Sequence, residues 1–159
     1  MIDTSNYEQL RQDAQNYYND IGKIYSPALG QDINFTSEGF NHIVYKGPRS
    51  EREKTSQILR FKLLSLAIKL VRLSTTHQEF EETLKEFDIK SHKKHIKQSK
   101  IVKYWGVIAI IDGRKIKVIL RKIGENGAMH FWSIVPDWIT NHYRDMRFFT
   151  TMKGNPDED

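Results

Sequence analysis

Arg121 and His130 are the side chains of this sequence best suited to chemistry. An imidazole moves a proton near neutral pH, and a fixed guanidinium stabilises a phosphate as it gains charge in a transition state. Together they suit cleavage of RNA without a metal, in which a 2′-hydroxyl attacks its own phosphodiester. His42, expected on a strand over residues 40–45, is the second candidate acid or base. The competing structural reading makes Arg121 a solvated strand residue, His130 a half-buried neighbour of Trp132, and His42 a packed strand histidine. Ser133 offers a hydroxyl that either bonds the backbone or orients a catalytic neighbour. Walker loops, GxGxxG and HExxH are absent from the sequence, as is cysteine, so no cofactor is expected. His92 and His95 have no carboxylate close by in sequence, so no metal site is expected either.

The elements that must position this pair are strands. KYWGVIAIIDGRKIKVILRKIGENGAMHFWSIVP, residues 103–136, predicts three antiparallel strands, with Asp112-Gly113 making one tight turn and Asn126-Gly127 the other. A two-residue loop at Asp112-Gly113 sets Tyr104 opposite Arg121, Trp105 opposite Leu120 and Val107 opposite Val118. One face is then Trp105, Val107, Ala109, Ile116, Val118 and Leu120, which must pack on helices. The open face carries Tyr104, Gly106, Lys115, Lys117 and Arg121. A two-residue second loop sets Arg121 opposite Trp132 with His130 diagonal to it. A four-residue loop over 124–127 sets Arg121 directly opposite His130. Either register leaves the pair roughly 5 to 8 Å apart at Cβ. An odd-length loop or a bulge separates them, and simple parity puts Ser133 on the core side beside Leu120.

Three helices are predicted by a hydroxyl residue followed three positions later by glutamate: Ser5/Glu8, Ser50/Glu53 and Thr76/Glu79. The first runs through Tyr7, Leu10, Ala14, Tyr17 and Ile21 towards Pro27. The second, with Leu59, Leu63, Leu66, Leu70 and Leu73, is the core helix. The third shows Phe80, Leu84 and Phe87 and leads into a basic loop. The fold class is α+β, a small antiparallel sheet of about four strands: one strand, the long helix, the short helix, then the meander.

Hydrophobic residues make up 38% and charged residues 28%, an ordinary soluble composition with no apolar run near the ~20 residues that span a membrane. No amino-terminal signal-peptide pattern is present, which fits a cytoplasmic protein. The net charge is +5, and KSHKKHIKQSKIVK holds six lysines and two histidines without an acid, so polyanions are the natural partners. Arg49, Arg52, Ser56 and Arg60 recur along the start of the core helix as a stripe for phosphates, with Lys46 just before it, although Glu51 and Glu53 dilute its charge. Lys103 and Tyr104 combine a cation with a ring that could stack a base, and Lys117 and Lys122 extend the expected phosphate contacts.

The order of INFTSEGFNHIVYKGPRSE, then Gln57, Arg60 and Phe61, then KYWG, VILRKIG and HFWSIV resembles phage and mobile-element proteins grouped with the barnase, EndoU, colicin and RelE-like (BECR) nucleases. The resemblance spans about residues 32 to 136. It implies a BECR-like nuclease core over 31–138, an N-terminal helical extension over 1–30 and a tail over 139–159. It further implies a metal-independent endoribonuclease, toxin-like, acting on tRNA or mRNA, with an acidic antitoxin or immunity protein as a partner. His42, Lys46, Arg121, His130 and Ser133 match the group's active-site positions, and Arg60 its helical arginine. The glutamate base of barnase has no counterpart on the open face, Glu125 in the turn excepted. A non-catalytic RNA-binding module and a protein-interaction domain with an acidic partner are the alternatives.

Overall fold

The structure, a computed structural model, describes residues 2–47, 50–136, 150–151, 156–157 and 159. Three helices, α1 (Tyr7–Asn19), α2 (Ser37–Val44) and α3 (Lys54–Leu73), accompany β1 (Lys23–Ser26), β2 (Gln31–Asn34), β3 (Glu79–Ser91), β4 (Lys94–Ile111), β5 (Arg114–Ile123), β6 (His130–Val135) and β7 (Thr150–Thr151). Among the described residues the strands form one mixed sheet in the order β1-β2-β6-β5-β4-β3-β7. The α+β class therefore holds, in a larger sheet than the four strands expected. No helix among the described residues is long and apolar enough to cross a membrane.

The first hairpin of the meander forms as its turn chemistry dictates. Asp112 and Gly113 both adopt positive φ, and Tyr104, Trp105 and Val107 pair with Arg121, Leu120 and Val118. Residues of the helix-facing side, Val107, Ile116, Val118 and Leu120, join Leu63, Leu64, Ala67, Leu70 and Val71 of α3 in the main core. The opposite face is not open: Val102, Tyr104, Ile119 and Val135 are fully buried there in a second, smaller cluster.

Three expectations are corrected. Residues 40–45 belong to a helix and its exit, not a strand, because Phe40, Ile43 and Val44 fall at helical spacing and all three pack into the main core. The helix expected from Thr76 is β3, and the basic loop is the β3–β4 hairpin, closed by His92 and Lys93 with both φ positive. That turn uses no glycine or asparagine, and the arm beyond Ile101 has no partner strand in β5, so neither turn chemistry nor one-sided burial marks it in the sequence. From the stretch read as an N-terminal extension, Tyr18 of α1 and Ile24 of β1 are buried in the main core, and β1 pairs with β2. In α1 it is Tyr18 that turns inward, leaving Tyr17 exposed.

Candidate active site

Arg121 of β5 and His130 of β6 stand directly opposite each other, the arrangement of the four-residue loop. A β-bulge does occur, one step further on: Ile119 pairs with Ser133 and Leu120 with Phe131, leaving Trp132 as the extra residue. The bulge moves Ser133 off the core side, where simple alternation puts it, onto the side of His130 and Arg121. It also aims Trp132 at the site. The Arg121 guanidinium lies 3.5 Å from the centroid of Trp132, and His42 stacks on the same indole at 4.2 Å and 19°. Two planar groups this close cannot share one ring face, so the indole is held between them.

α2 supplies the rest of the site. Glu38 and His42 lie one helical turn apart and so share a face. Glu38 Oε2 accepts a hydrogen bond from Arg121 Nη2 at 2.6 Å and lies 4.0 Å from His130 Nε2. Arg121 Nε in turn donates to His130 Nε2 at 2.8 Å. Carboxylate, guanidinium and imidazole thus form one chain of contacts, with Glu38 reaching solvent at 61% side-chain exposure while Arg121 keeps only 9%.

Burial, followed by the charge of Arg121, lowers the pKa of His130 below the ordinary histidine value. Because Nε2 accepts from Arg121, the ring proton of the neutral form resides on Nδ1, 3.4 Å from the Ala128 carbonyl oxygen. His42 is pushed down to about 3 by burial first, then by the charges of Arg52, Arg60 and Arg121, against an opposing contribution from Asp157. Its Nε2 lies 3.4 Å from Arg52 Nη2, and Arg52 Nε donates to the His42 carbonyl oxygen at 3.0 Å. Burial and the neighbouring arginine charges thus bias both imidazoles to the neutral form at pH 7. An anion bound against those guanidiniums removes part of that bias.

His42, Arg121, Glu38 and Trp132 line a cleft of about 750 Å³, together with Lys85 and Asp157. Lys46 is exposed and lies apart from it, in a neighbouring cleft of about 660 Å³ shared with Arg52 and Arg60. Among the residues expected to hold phosphates, Arg52 is buried against His42, and Arg60 is buried with Nη1 donating to the Ile134 carbonyl oxygen and, at 3.4 Å, to Ser133 Oγ. Tyr104 is fully buried and offers no ring for stacking, its hydroxyl donating to Asp157 Oδ1 at 2.8 Å. Lys117 is also fully buried, 3.2 Å from the equally buried Glu79. Glu79 sits over Gly106, where an added Cβ would come within 2.6 Å of Glu79 Oε1. Lys103 and Lys122 face each other across β4 and β5, on the side of Trp105 and Leu120 rather than of His130. Lys103 is half-exposed and 3.8 Å from Glu82. Arg49 lies outside the described residues.

Sequence reasoning missed Glu38 and Lys85. Glu38 is four residues before His42, a spacing that places the two together once 37–44 is read as a helix. Lys85 alternates with Thr83 and Phe87 on β3, a signal hidden while that segment is read as helical. Among the described residues no three His, Asp or Glu side chains converge as they would to hold a metal ion. No family model, curated protein or solved structure matches the chain.

Proposed function

We propose that the chain is a metal-independent endoribonuclease of the BECR type, cleaving tRNA or mRNA by attack of the 2′-hydroxyl. The observation that carries this reading is the continuous contact of Glu38, Arg121 and His130, with Glu38 and Arg121 lining the cleft and His130 behind Arg121. Helices preceding a meander are also what the resemblance implies, and Glu38 offers a carboxylate for the role of base.

In this mechanism Arg121 receives the non-bridging oxygens of the scissile phosphate, displacing part of its pairing with Glu38. The freed carboxylate takes the proton of the 2′-hydroxyl as the 2′-oxygen bonds to phosphorus. The phosphate charge against Arg121 offsets the repulsion that keeps His130 neutral. Arg121 Nε, drawn to the phosphate, releases His130 Nε2, which takes up a proton from water and delivers it to the 5′-oxygen as that bond breaks, leaving a 2′,3′-cyclic phosphate. His42, held neutral by burial and stacked on Trp132, positions the indole that carries Arg121. Ser133 accepts from Arg60, which lines the neighbouring cleft.

The test is incubation of total RNA with excess chelator and wild-type, Glu38→Gln or His130→Ala protein. Cleavage by the wild type alone, ending in cyclic phosphate, supports the reading. Intact RNA with wild type removes it.

One observation favours the second reading, an RNA-binding module without cleavage: the Nε2 atoms of both histidines face arginines. Tight, salt-sensitive retention of RNA that stays intact would favour this module.

A further inference from the structure

The acidic segment NPDED, residues 155–159, brings Asp157 onto the candidate cleft and Asp159 onto the neighbouring one. The Pro156 carbonyl oxygen accepts from Trp132 Nε1 at 2.8 Å. The Asp157 carboxylate accepts from Lys85 Nζ and, at 2.8 Å, from the Tyr104 hydroxyl. The backbone oxygen of Asp159 accepts from Arg60 Nη1 at 2.7 Å and from Ser133 Oγ at 2.9 Å. Each of these donors lies in or beside the candidate site, and Asp157 lines the same cleft as His42 and Arg121. Burial raises the Asp157 carboxyl, but the hydrogen bonds from Lys85 and Tyr104 prevail and hold it below the usual range, so it sits there as an anion.

We propose that Lys85 and Tyr104 form a phosphate subsite of the cleft, next to Arg121, and that the Asp157 carboxylate occupies it as an intramolecular stand-in for a backbone phosphate. A lysine ammonium and a phenol hydroxyl converging on one carboxylate form a donor set suited to a phosphodiester oxygen, and the two side chains reach each other from one face of β3 and β4, Lys85 Nζ donating to the Tyr104 hydroxyl at 2.7 Å. The segment carrying Asp157 therefore competes with nucleic acid for the cleft, and RNA engages by exchanging one anion for another. This rests on the reading of the cleft as an RNA site in naming the ligand, but the subsite itself is a claim about phosphate.

The experiment compares wild type, Asp157→Asn, Asp157→Asn/Lys85→Ala and, as a charge-matched control away from the cleft, Asp13→Asn on α1. Binding of inorganic phosphate is followed by NMR shifts of backbone amides around Lys85, and binding of an uncleavable 2′-O-methyl oligonucleotide by fluorescence anisotropy. Thermal melting confirms that each variant is folded. The proposal predicts that Asp157→Asn binds both ligands about tenfold more tightly, that Asp13→Asn does not, and that adding Lys85→Ala abolishes the gain. A gain for phosphate alone supports the subsite while counting against RNA as its ligand. Unchanged phosphate affinity in a folded Asp157→Asn protein overturns the proposal, even where RNA is cleaved normally and the nuclease reading stands.

Discussion

The Glu38 carboxylate and the Arg121 guanidinium meet at 2.6 Å, which ties a short helix to the central hairpin of the sheet. That contact makes a site out of two groups 83 residues apart in sequence. It sets a solvent-reaching carboxylate against a nearly buried cation, and the cation in turn suppresses the charge of His130. An exposed ion pair by itself adds little stability, so the value of this one lies in what it positions.

Replacing Arg121 by lysine separates charge from geometry. A lysine keeps a positive charge but cannot bond Glu38 and His130 at once or lie flat on Trp132. Arg121→Lys is expected to fold, with melting within a few degrees of wild type, and to lose about 100-fold or more in RNA cleavage. Retained activity measured on a labelled oligoribonucleotide would contradict the bidentate role.

Acidification should destabilise the protein through its histidines. An unfolded histidine takes a proton near its ordinary value, whereas His42 in the fold does so only at about 3. Below the unfolded value the unfolded state therefore binds more protons, and stability falls as pH drops from about 6.5 to about 3, by a few kcal/mol at most for this group. The lowered His130 contributes in the same direction. Urea melts at pH 7 and pH 4.5 check this, with His42→Phe expected to flatten the dependence. An equal slope in that variant would contradict the assignment.

Lys117 is a structural cation despite its place beside Arg121 on the strand face. Lys117→Met leaves Glu79 buried without it and is expected to cost roughly 3 to 5 kcal/mol, while Lys117→Met with Glu79→Leu recovers most of the loss. Denaturant unfolding of the two variants measures the difference. A single variant as stable as wild type would show that the buried pair is dispensable.

The sheet face that carries the site was legible where local chemistry alone decides. Asp112-Gly113 has the residues a tight turn needs, so the pairing of Tyr104 with Arg121 follows from counting. Proximity of Arg121 and His130 needed in addition an even-length register at the second turn, which the structure has. Ser133 was not legible, because a bulge at Trp132 depends on packing against α2 and Arg121 rather than on any residue preference. Tyr104 and Lys117 read as exposed because alternation says which residues share a face but not whether that face is covered. Glu38 stayed hidden because the β-branched and aromatic residues of a short helix imitate a strand, and that error hid the carboxylate that meets Arg121.

Protonation of His130 should follow anion binding. A phosphodiester analogue against Arg121 adds negative charge beside the imidazole, so its pKa is expected to rise, read from the ring proton shifts in NMR titrations with and without a 2′-O-methyl dinucleotide. Arg121→Ala should raise the pKa of the free protein and erase the response. An unchanged value on binding would remove His130 as the proton donor.

The most direct measurement is the time course of cleavage of a labelled oligoribonucleotide by wild type and Glu38→Gln at equal melting temperature, with chelator throughout and products resolved by end group. The account predicts 2′,3′-cyclic phosphate ends from wild type, and at least a 100-fold slower course for Glu38→Gln with binding of the uncleavable analogue retained. Cleavage by Glu38→Gln at the wild-type rate, or none by either protein, would contradict it.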